Sequence, residues 1–247
     1  MKYIFFVIIL LFIGIIPVYA NLDSDRDLDG VPDKDEIGKF YTNPDNPDTD
    51  GDGFNDWVEL NSGFSPYTAA SVKLEDNDAD NDGLSDRKEI SYGTNPVSAD
   101  TDGDGFSDKV EILAGYNPLS AKPEALEKKI VINRGSQTLT YYLGDMLLDS
   151  TVVSTGKAAM PTPAGEYKVI EKNPYRWSRA ASLWMPFWLM FDARGYGIHE
   201  LPEWPGGIKE GQDHLGTPVS HGCVRLGVGP AAELYTFAEL GTKVIVN

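Results

Sequence analysis

Four segments of this chain repeat one spacing: aspartate at positions 1, 3 and 5, glycine at 6 and glutamate at 12. They are Asp25, Asp27, Asp29, Gly30 and Glu36; Asp48, Asp50, Asp52, Gly53 and Glu59; Asp78, Asp80, Asp82, Gly83 and Glu89; and Asp100, Asp102, Asp104, Gly105 and Glu111. Alternate residues of a tight loop can point three carboxylates at one centre, and glycine permits the sharp turn. A hard dication that takes six to eight oxygens, calcium above all, is the ligand such a loop suits. Position 9 is Asp33, Asp56, Asp86 and Asp108, a carboxylate expected to hold a bound water. Position 7 is Val31, Phe54, Leu84 and Phe106, each expected to offer its carbonyl while its side chain packs inward.

The spacing between loops limits what surrounds them. Thr42-Asn43-Pro44 and Gly93-Thr94-Asn95-Pro96 interrupt the segments after Glu36 and Glu89, which leaves room for one short helical turn after each glutamate. Residues 21–120 carry 25 acidic and 7 basic side chains, a net of −18, whereas residues 121–247 carry 13 of each. Calcium would relieve that repulsion, and without it this half is expected to be largely disordered. The surface has no basic patch to meet nucleic-acid phosphates.

Residues 1–20 form a separate unit. Lys2 precedes an uncharged run from Tyr3 to Ala20, and Val18-Tyr19-Ala20 is an acceptable cleavage site. A cleaved export signal is the expectation, with an uncleaved membrane anchor as the alternative. Either places the rest of the chain outside the cytoplasm, in a periplasm, a cell wall or the medium. No cysteine follows the apolar run to accept a lipid.

The second half reads as β. Strands are expected at Lys129–Asn133, Gln137–Leu143, Met146–Thr155, Glu166–Glu171, Pro186–Asp192 and Thr242–Val246, with a helix at Pro230–Leu240. The boundary falls at Tyr116-Asn117-Pro118 through Lys122-Pro123, with 121–128 as linker and a short helix expected over Glu124–Lys129. The one cysteine, Cys223, lies in Ser220-His221-Gly222-Cys223-Val224-Arg225-Leu226. A lone thiol cannot close an internal disulfide; near a histidine it is a candidate nucleophile, and otherwise a small buried apolar residue.

That heptapeptide resembles the signature of the L,D-transpeptidase catalytic domain (YkuD type). Gly197-Ile198-His199 stands where the family carries an upstream histidine. Ser154-Thr155-Gly156-Lys157 and Pro161-Thr162-Pro163-Ala164-Gly165 are similar to its Thr-Gly and Thr-Pro-x-Gly landmarks. The acidic repeats are similar to thrombospondin type 3 or dockerin-like calcium repeats. The combined resemblance implies a mainly β protein: a β-sandwich catalytic domain over 129–247, preceded by a loop-rich calcium-repeat domain over 21–120 that acts as a rigid spacer.

The resemblance also implies chemistry. Cys223 would attack the carbonyl after the third residue of a peptidoglycan stem peptide, releasing D-alanine, with His199 as general base. An amine of a neighbouring stem would capture the thioester to give a 3→3 cross-link. Backbone N–H groups at Gly222 and Cys223 would face the oxyanion, and His221 would orient the loop or touch substrate. Arg225 is open to two roles, partner of a substrate carboxylate or pin for the loop. His214 reads as a surface histidine inside an insertion, Leu201–Asp213, expected to form a loop over the cleft. Trp177, Trp184, Trp188 and Trp204 read as core or lid. Two departures stand out: Glu200 follows the histidine where relatives carry a small residue, and the His199 to Cys223 interval is long. Hydrolysis of the acyl-enzyme, an L,D-carboxypeptidase outcome, and a catalytically idle calcium-dependent wall-binding protein are the alternatives.

Overall fold

The computed structural model describes residues 24–247; the expected export signal lies outside them. Among the described residues no helix is long and apolar enough to cross a membrane.

The first half is built from four loop–helix units. The helices are α1 (Asp33–Asp35, continuing as a wider turn over Glu36–Phe40), α2 (Asp56–Ser62), α3 (Asp86–Tyr92) and α4 (Asp108–Ala114). Each begins at loop position 9, three residues before the closing glutamate, so the expected single turn after the glutamate is corrected to a helix that contains it. The cause lies in the loop. The position-9 carboxylate accepts the N–H of position 2 in every copy: Asp33 from Arg26 at 2.9 Å, Asp56 from Thr49 at 2.9 Å, Asp86 from Ala79 at 3.0 Å and Asp108 from Thr101 at 3.0 Å. That bond closes the loop and starts the helix at its first residue. Helices α2, α3 and α4 stop at Gly63, Gly93 and Gly115, each left-handed with φ of 77°, 83° and 85°, as a glycine C-cap requires.

The units associate in pairs. Asp29 accepts the N–H of Trp57 at 3.2 Å, and Asp82 accepts that of Lys109 at 2.8 Å, so loop 1 ties to α2 and loop 3 to α4 in the same way. Val31 and Leu84 are accordingly buried, 3% and 7% exposed. Phe54 and Phe106 are 57% and 60% exposed, against the expectation that position 7 packs inward in all four. The second loop of each pair has no following loop to cover it.

The second half contains nine strands: β1 (Lys128–Asn133), β2 (Thr138–Leu143), β3 (Met146–Ser154), β4 (Gly165–Lys168), β5 (Glu171–Ser178), β6 (Leu183–Asp192), β7 (Tyr196–Glu200), β8 (Val224–Leu226) and β9 (Lys243–Val246). Helix α5 (Pro230–Phe237) precedes the last strand. They form one sheet in the order β4-β9-β1-β2-β3-β8-β7-β6-β5, and it curls until Tyr167 of β4 meets Phe191 of β6 at a ring separation of 5.2 Å. The two inner faces and α5 enclose Ile130, Ile132, Leu139, Leu143, Leu189, Ile198, Leu226, Leu234 and Phe237. The expected strand at Glu166–Glu171 divides into β4 and the start of β5, which runs on into a long hairpin with β6.

Residues 124–127 are extended rather than helical: Asn117 N–H donates to Glu124 O at 3.0 Å and Leu126 N–H to Gly115 O at 2.8 Å. Pairing with the turn after α4 uses the backbone groups a helix would need. The repeats are therefore docked directly on the β-rich half. Leu84, Tyr92 and Ile112 belong to the same apolar core as β1, β2 and α5. Tyr92 donates its hydroxyl to Leu148 O at 2.8 Å, Lys88 pairs with Glu233 of α5 at 2.7 Å, and the Lys128 ammonium bonds Leu113 O.

Candidate active site

Strands β7 and β8 run side by side in parallel, with Ile198 opposite Val224 and His199 opposite Arg225. Ile198, Val224 and Leu226 point into the core. Strand alternation then puts His199 and Arg225 on the other face, with Cys223 just before β8 beside Gly197. The Cys223 thiol donates to Gly195 O at 3.9 Å.

The approach to Cys223 is held by its neighbours. The Ser220 hydroxyl accepts the Gly222 N–H at 3.1 Å and donates to Cys223 O at 2.5 Å, closing the turn on itself. Ser220 N–H donates to Thr155 O at 3.0 Å, and Lys157 N–H to Ser220 O at 3.0 Å, which fastens the turn to the Thr-Gly landmark. Gly222 has φ of +110°, and a Cβ there would lie 2.4 Å from the Tyr196 ring. Gly197 has no room either, since a Cβ would fall 2.6 Å from the Trp188 indole. Both glycines flanking the thiol are thus required by what packs on them.

His199 is buried, with its ring 5.9 Å from that of Trp188. Its Nδ1 lies 2.5 Å from Glu200 O. A carbonyl only accepts, so Nδ1 carries the hydrogen and Nε2 keeps the lone pair that a general base needs. Burial, reinforced by the Arg225 charge, lowers the imidazole pKa to about 4, and burial pushes the Cys223 thiol above its ordinary value, against the Gly197 N–H and the charges of Arg225 and Arg176.

The remaining candidates sort by position. His221 is exposed and its side chain makes no hydrogen bond or ion pair with a described residue. His214 is half-exposed, but its Nδ1 is enclosed: a Cβ on Gly211 would lie 2.9 Å from it and 3.5 Å from Arg225 Nη1. The insertion therefore passes against Arg225. Glu200, the unusual residue after the histidine, forms an ion pair with Lys209 of that insertion, and Lys209 also pairs with Glu203 at 3.2 Å. Trp188 is core, whereas Trp177 and Trp204 are partly exposed and Trp184 stacks on Tyr175 at 4.6 Å. Sequence reasoning missed Trp188 and Tyr196 as the walls behind the two glycines; nothing local marks them.

The four acidic loops make a second kind of candidate site. Within each of the triads Asp25/Asp27/Asp29, Asp48/Asp50/Asp52, Asp78/Asp80/Asp82 and Asp100/Asp102/Asp104, carboxylate oxygens converge to within 4.8 Å of one another. Glu36, Glu59, Glu89 and Glu111 are buried beside them, each with at least one oxygen that has no hydrogen-bond partner among the described residues. Asp27, Asp50, Asp80 and Asp102 likewise each enclose an unpartnered oxygen. Burial and the neighbouring aspartates raise the glutamates to about 7, 8, 9 and 7 in loop order. Buried orphan acceptors around one centre fit a hard cation and little else. Asp33, Asp56, Asp86 and Asp108 are not part of these triads; each accepts the backbone hydrogen bond that closes its loop.

Comparison with known proteins places these features. The profile of the L,D-transpeptidase catalytic domain matches residues 127–246, and that of the bacterial TSP3 repeat matches 48–63, 78–99 and 100–121. The chain is 30% identical over 131 residues to L,D-transpeptidase YqjB of Bacillus subtilis, a match that covers 48% of this chain and 70% of that protein. The chain belongs to the L,D-transpeptidase family. A further Bacillus subtilis relative, L,D-transpeptidase YkuD, is 28% identical over 127 residues, 51% of this chain and 69% of that protein. Among solved structures, an L,D-transpeptidase from Mycobacterium smegmatis shares 23% identity at a TM-score of 0.45, covering 51% of this chain and 60% of that one. One from Stackebrandtia nassauensis shares 30% at 0.41, covering 49% and 55%. The L,D-transpeptidase domain is thus joined, in this member, to TSP3 repeats that pack directly on it.

Proposed function

We propose that this L,D-transpeptidase works outside the cytoplasm on peptidoglycan stem peptides, through a thioester on Cys223. The observation that carries the reading is the pairing of β7 with β8, which brings Cys223, just before β8, alongside Gly197, two residues before His199. The Cys223 sulfur attacks the carbonyl after the third stem residue, and its proton passes to His199 Nε2. The Cys223 backbone N–H is the donor for the developing oxyanion, whereas the Gly222 N–H expected beside it is already given to the Ser220 hydroxyl. As the C–N bond breaks, His199 returns the proton to the departing D-alanine amine. An amine of a second stem then attacks the thioester, loses a proton to His199 and restores the thiol, giving a 3→3 cross-link.

In the same reading the four acidic loops hold calcium through the Asp triads and the glutamate of each loop, with the position-7 carbonyls completing the shell. Calcium supplies positive charge where the buried carboxylates otherwise repel one another. The repeats then serve as a docked brace for the catalytic half.

Intact-protein mass spectrometry after incubation with a disaccharide-tetrapeptide, with and without calcium, tests this. The expected product is a Cys223-linked acyl adduct with release of D-alanine, followed by cross-linked dimers when an acceptor stem is supplied. Absence of both adduct and product would move the weight to a wall-binding role, and free tripeptide without dimers to hydrolysis.

The resting protonation state gives a second prediction. With the thiol raised and the imidazole lowered, both groups are neutral near pH 7, so thiolate grows about tenfold per pH unit until the thiol titrates. Iodoacetamide alkylation of Cys223 is expected to rise steadily from pH 6 past pH 9. A plateau already reached at pH 5 to 6 would show a thiolate–imidazolium pair instead.

A further inference from the structure

Of the seven described arginines, five are held by side-chain or backbone oxygens and Arg179 is exposed. Arg26, Arg87, Arg176 and Arg194 each pair with a carboxylate, and Arg134 donates to backbone carbonyls. The Arg225 side chain is partly buried, yet it makes no hydrogen bond or ion pair with any described residue. A guanidinium removed from water without a partner is costly, and a loop pin would show bonds to the loop. Of the two roles open from the sequence, the pin is therefore unsupported. Glu210 of the insertion and Cys223 act on it only through space, and Gly211 walls one side at the position where a Cβ would sit 3.5 Å from Nη1.

Its place relative to the thiol defines what it can bind. Arg225 stands opposite His199 in β8 and two residues beyond Cys223, so its Cα lies within about 7 Å of that of Cys223. One peptide unit beyond a scissile bond spans about 3.8 Å between Cα atoms, which the guanidinium arm can meet. Arg176, the other cation acting on Cys223, is already held by Glu171 at 2.9 Å and lies over the Trp188 ring.

Building on the acyl-enzyme reading, we propose that Arg225 binds the α-carboxylate of the residue that leaves, restricting cleavage to the last peptide bond of a donor stem. A planar guanidinium matches a carboxylate with two parallel hydrogen bonds. A donor whose chain continues, or whose terminal carboxyl is masked, leaves that guanidinium unpaired and is rejected.

The test compares a disaccharide-tetrapeptide with its C-terminal amide as donors for the wild-type protein, reading the rate of Cys223 acylation by mass spectrometry. The amide is expected to react about 100-fold more slowly. In Arg225→Gln the acid donor should slow by a similar factor and the ratio of the two donors approach one, while Arg225→Lys keeps part of the preference. Iodoacetamide alkylation of the same variants checks that the thiol is still in place and is expected to stay within several-fold of wild type. Equal acylation of the wild type by both donors would overturn the role of Arg225 and leave the acyl-enzyme reading standing. A fall in alkylation parallel to the fall in acylation would also overturn it, by showing that Arg225 acts on the thiol. No acylation by either donor would remove the acyl-enzyme reading and this inference together.

Discussion

Cys223→Ala is expected to abolish acylation and turnover, with a loss on the order of 10⁶-fold where the assay can follow it. The turn that carries residue 223 is held by the Ser220 hydroxyl and by backbone bonds to Thr155 and Lys157, none of which uses the sulfur. The variant should therefore melt close to wild type, and the loss can be assigned to chemistry. His199→Ala is a different case. Removing a general base costs about 10²–10⁴-fold, but this ring also packs on Trp188 and donates to Glu200 O. His199→Gln, which keeps more of the volume, is the better comparison, and a melting curve belongs beside each rate. Turnover retained in Cys223→Ala would end the reading of this thiol as nucleophile, whatever the His199 variants do.

What could be read from the chain depended on whether the partners are neighbours in sequence. The aspartates of each acidic loop lie within five residues of one another, and the run from Ser220 to Leu226 is continuous, so both were visible at once. The mainly β character of the second half followed from local alternation for the same reason. The pairing of β7 with β8 was not visible: 24 positions separate His199 from Cys223, and the insertion between them hides the parallel register. Nor could the sequence say that Gly197 is required by Trp188 or Gly222 by Tyr196, since these are tertiary contacts. The sharpest example is Leu84 against Phe54. Both occupy position 7 of an identical spacing, yet one is buried and the other exposed. The difference comes from what packs next to each loop: α4 and the catalytic half cover loop 3, and nothing equivalent covers loop 2. The helix expected at 124–129 failed for a related reason, because its backbone groups pair with the turn after α4.

Chelation of calcium is expected to unfold more than the repeats. With both Glu89 oxygens and Glu111 Oε2 buried and unpartnered, loss of the cation leaves loops 3 and 4 with enclosed acidic groups that nothing else satisfies. Leu84, Tyr92 and Ile112 are contributed by those same units to the core shared with β1, β2 and α5. Loosening α3 and α4 strips one side of that core and breaks the Tyr92 bond to Leu148 and the Lys88–Glu233 pair. Loops 1 and 2 contribute no residue to the shared core. The two pairs should therefore behave differently. A site held at 100 times its dissociation constant contributes about 2.7 kcal/mol, and for a protein of this size each kcal/mol moves Tm by about 2–4 °C. Glu89→Gln is thus expected to lower the melting temperature of the catalytic half by about 5–10 °C, while Glu59→Gln leaves it nearly unchanged and loosens only the outer pair. Differential scanning calorimetry with tryptophan fluorescence, in calcium and in excess EGTA, reads both transitions, and limited proteolysis locates them. If EGTA leaves helicity, protease resistance and both transitions unchanged, the loops do not depend on calcium. If EGTA melts the repeats but the catalytic transition stays in place, the shared core does not couple the two halves.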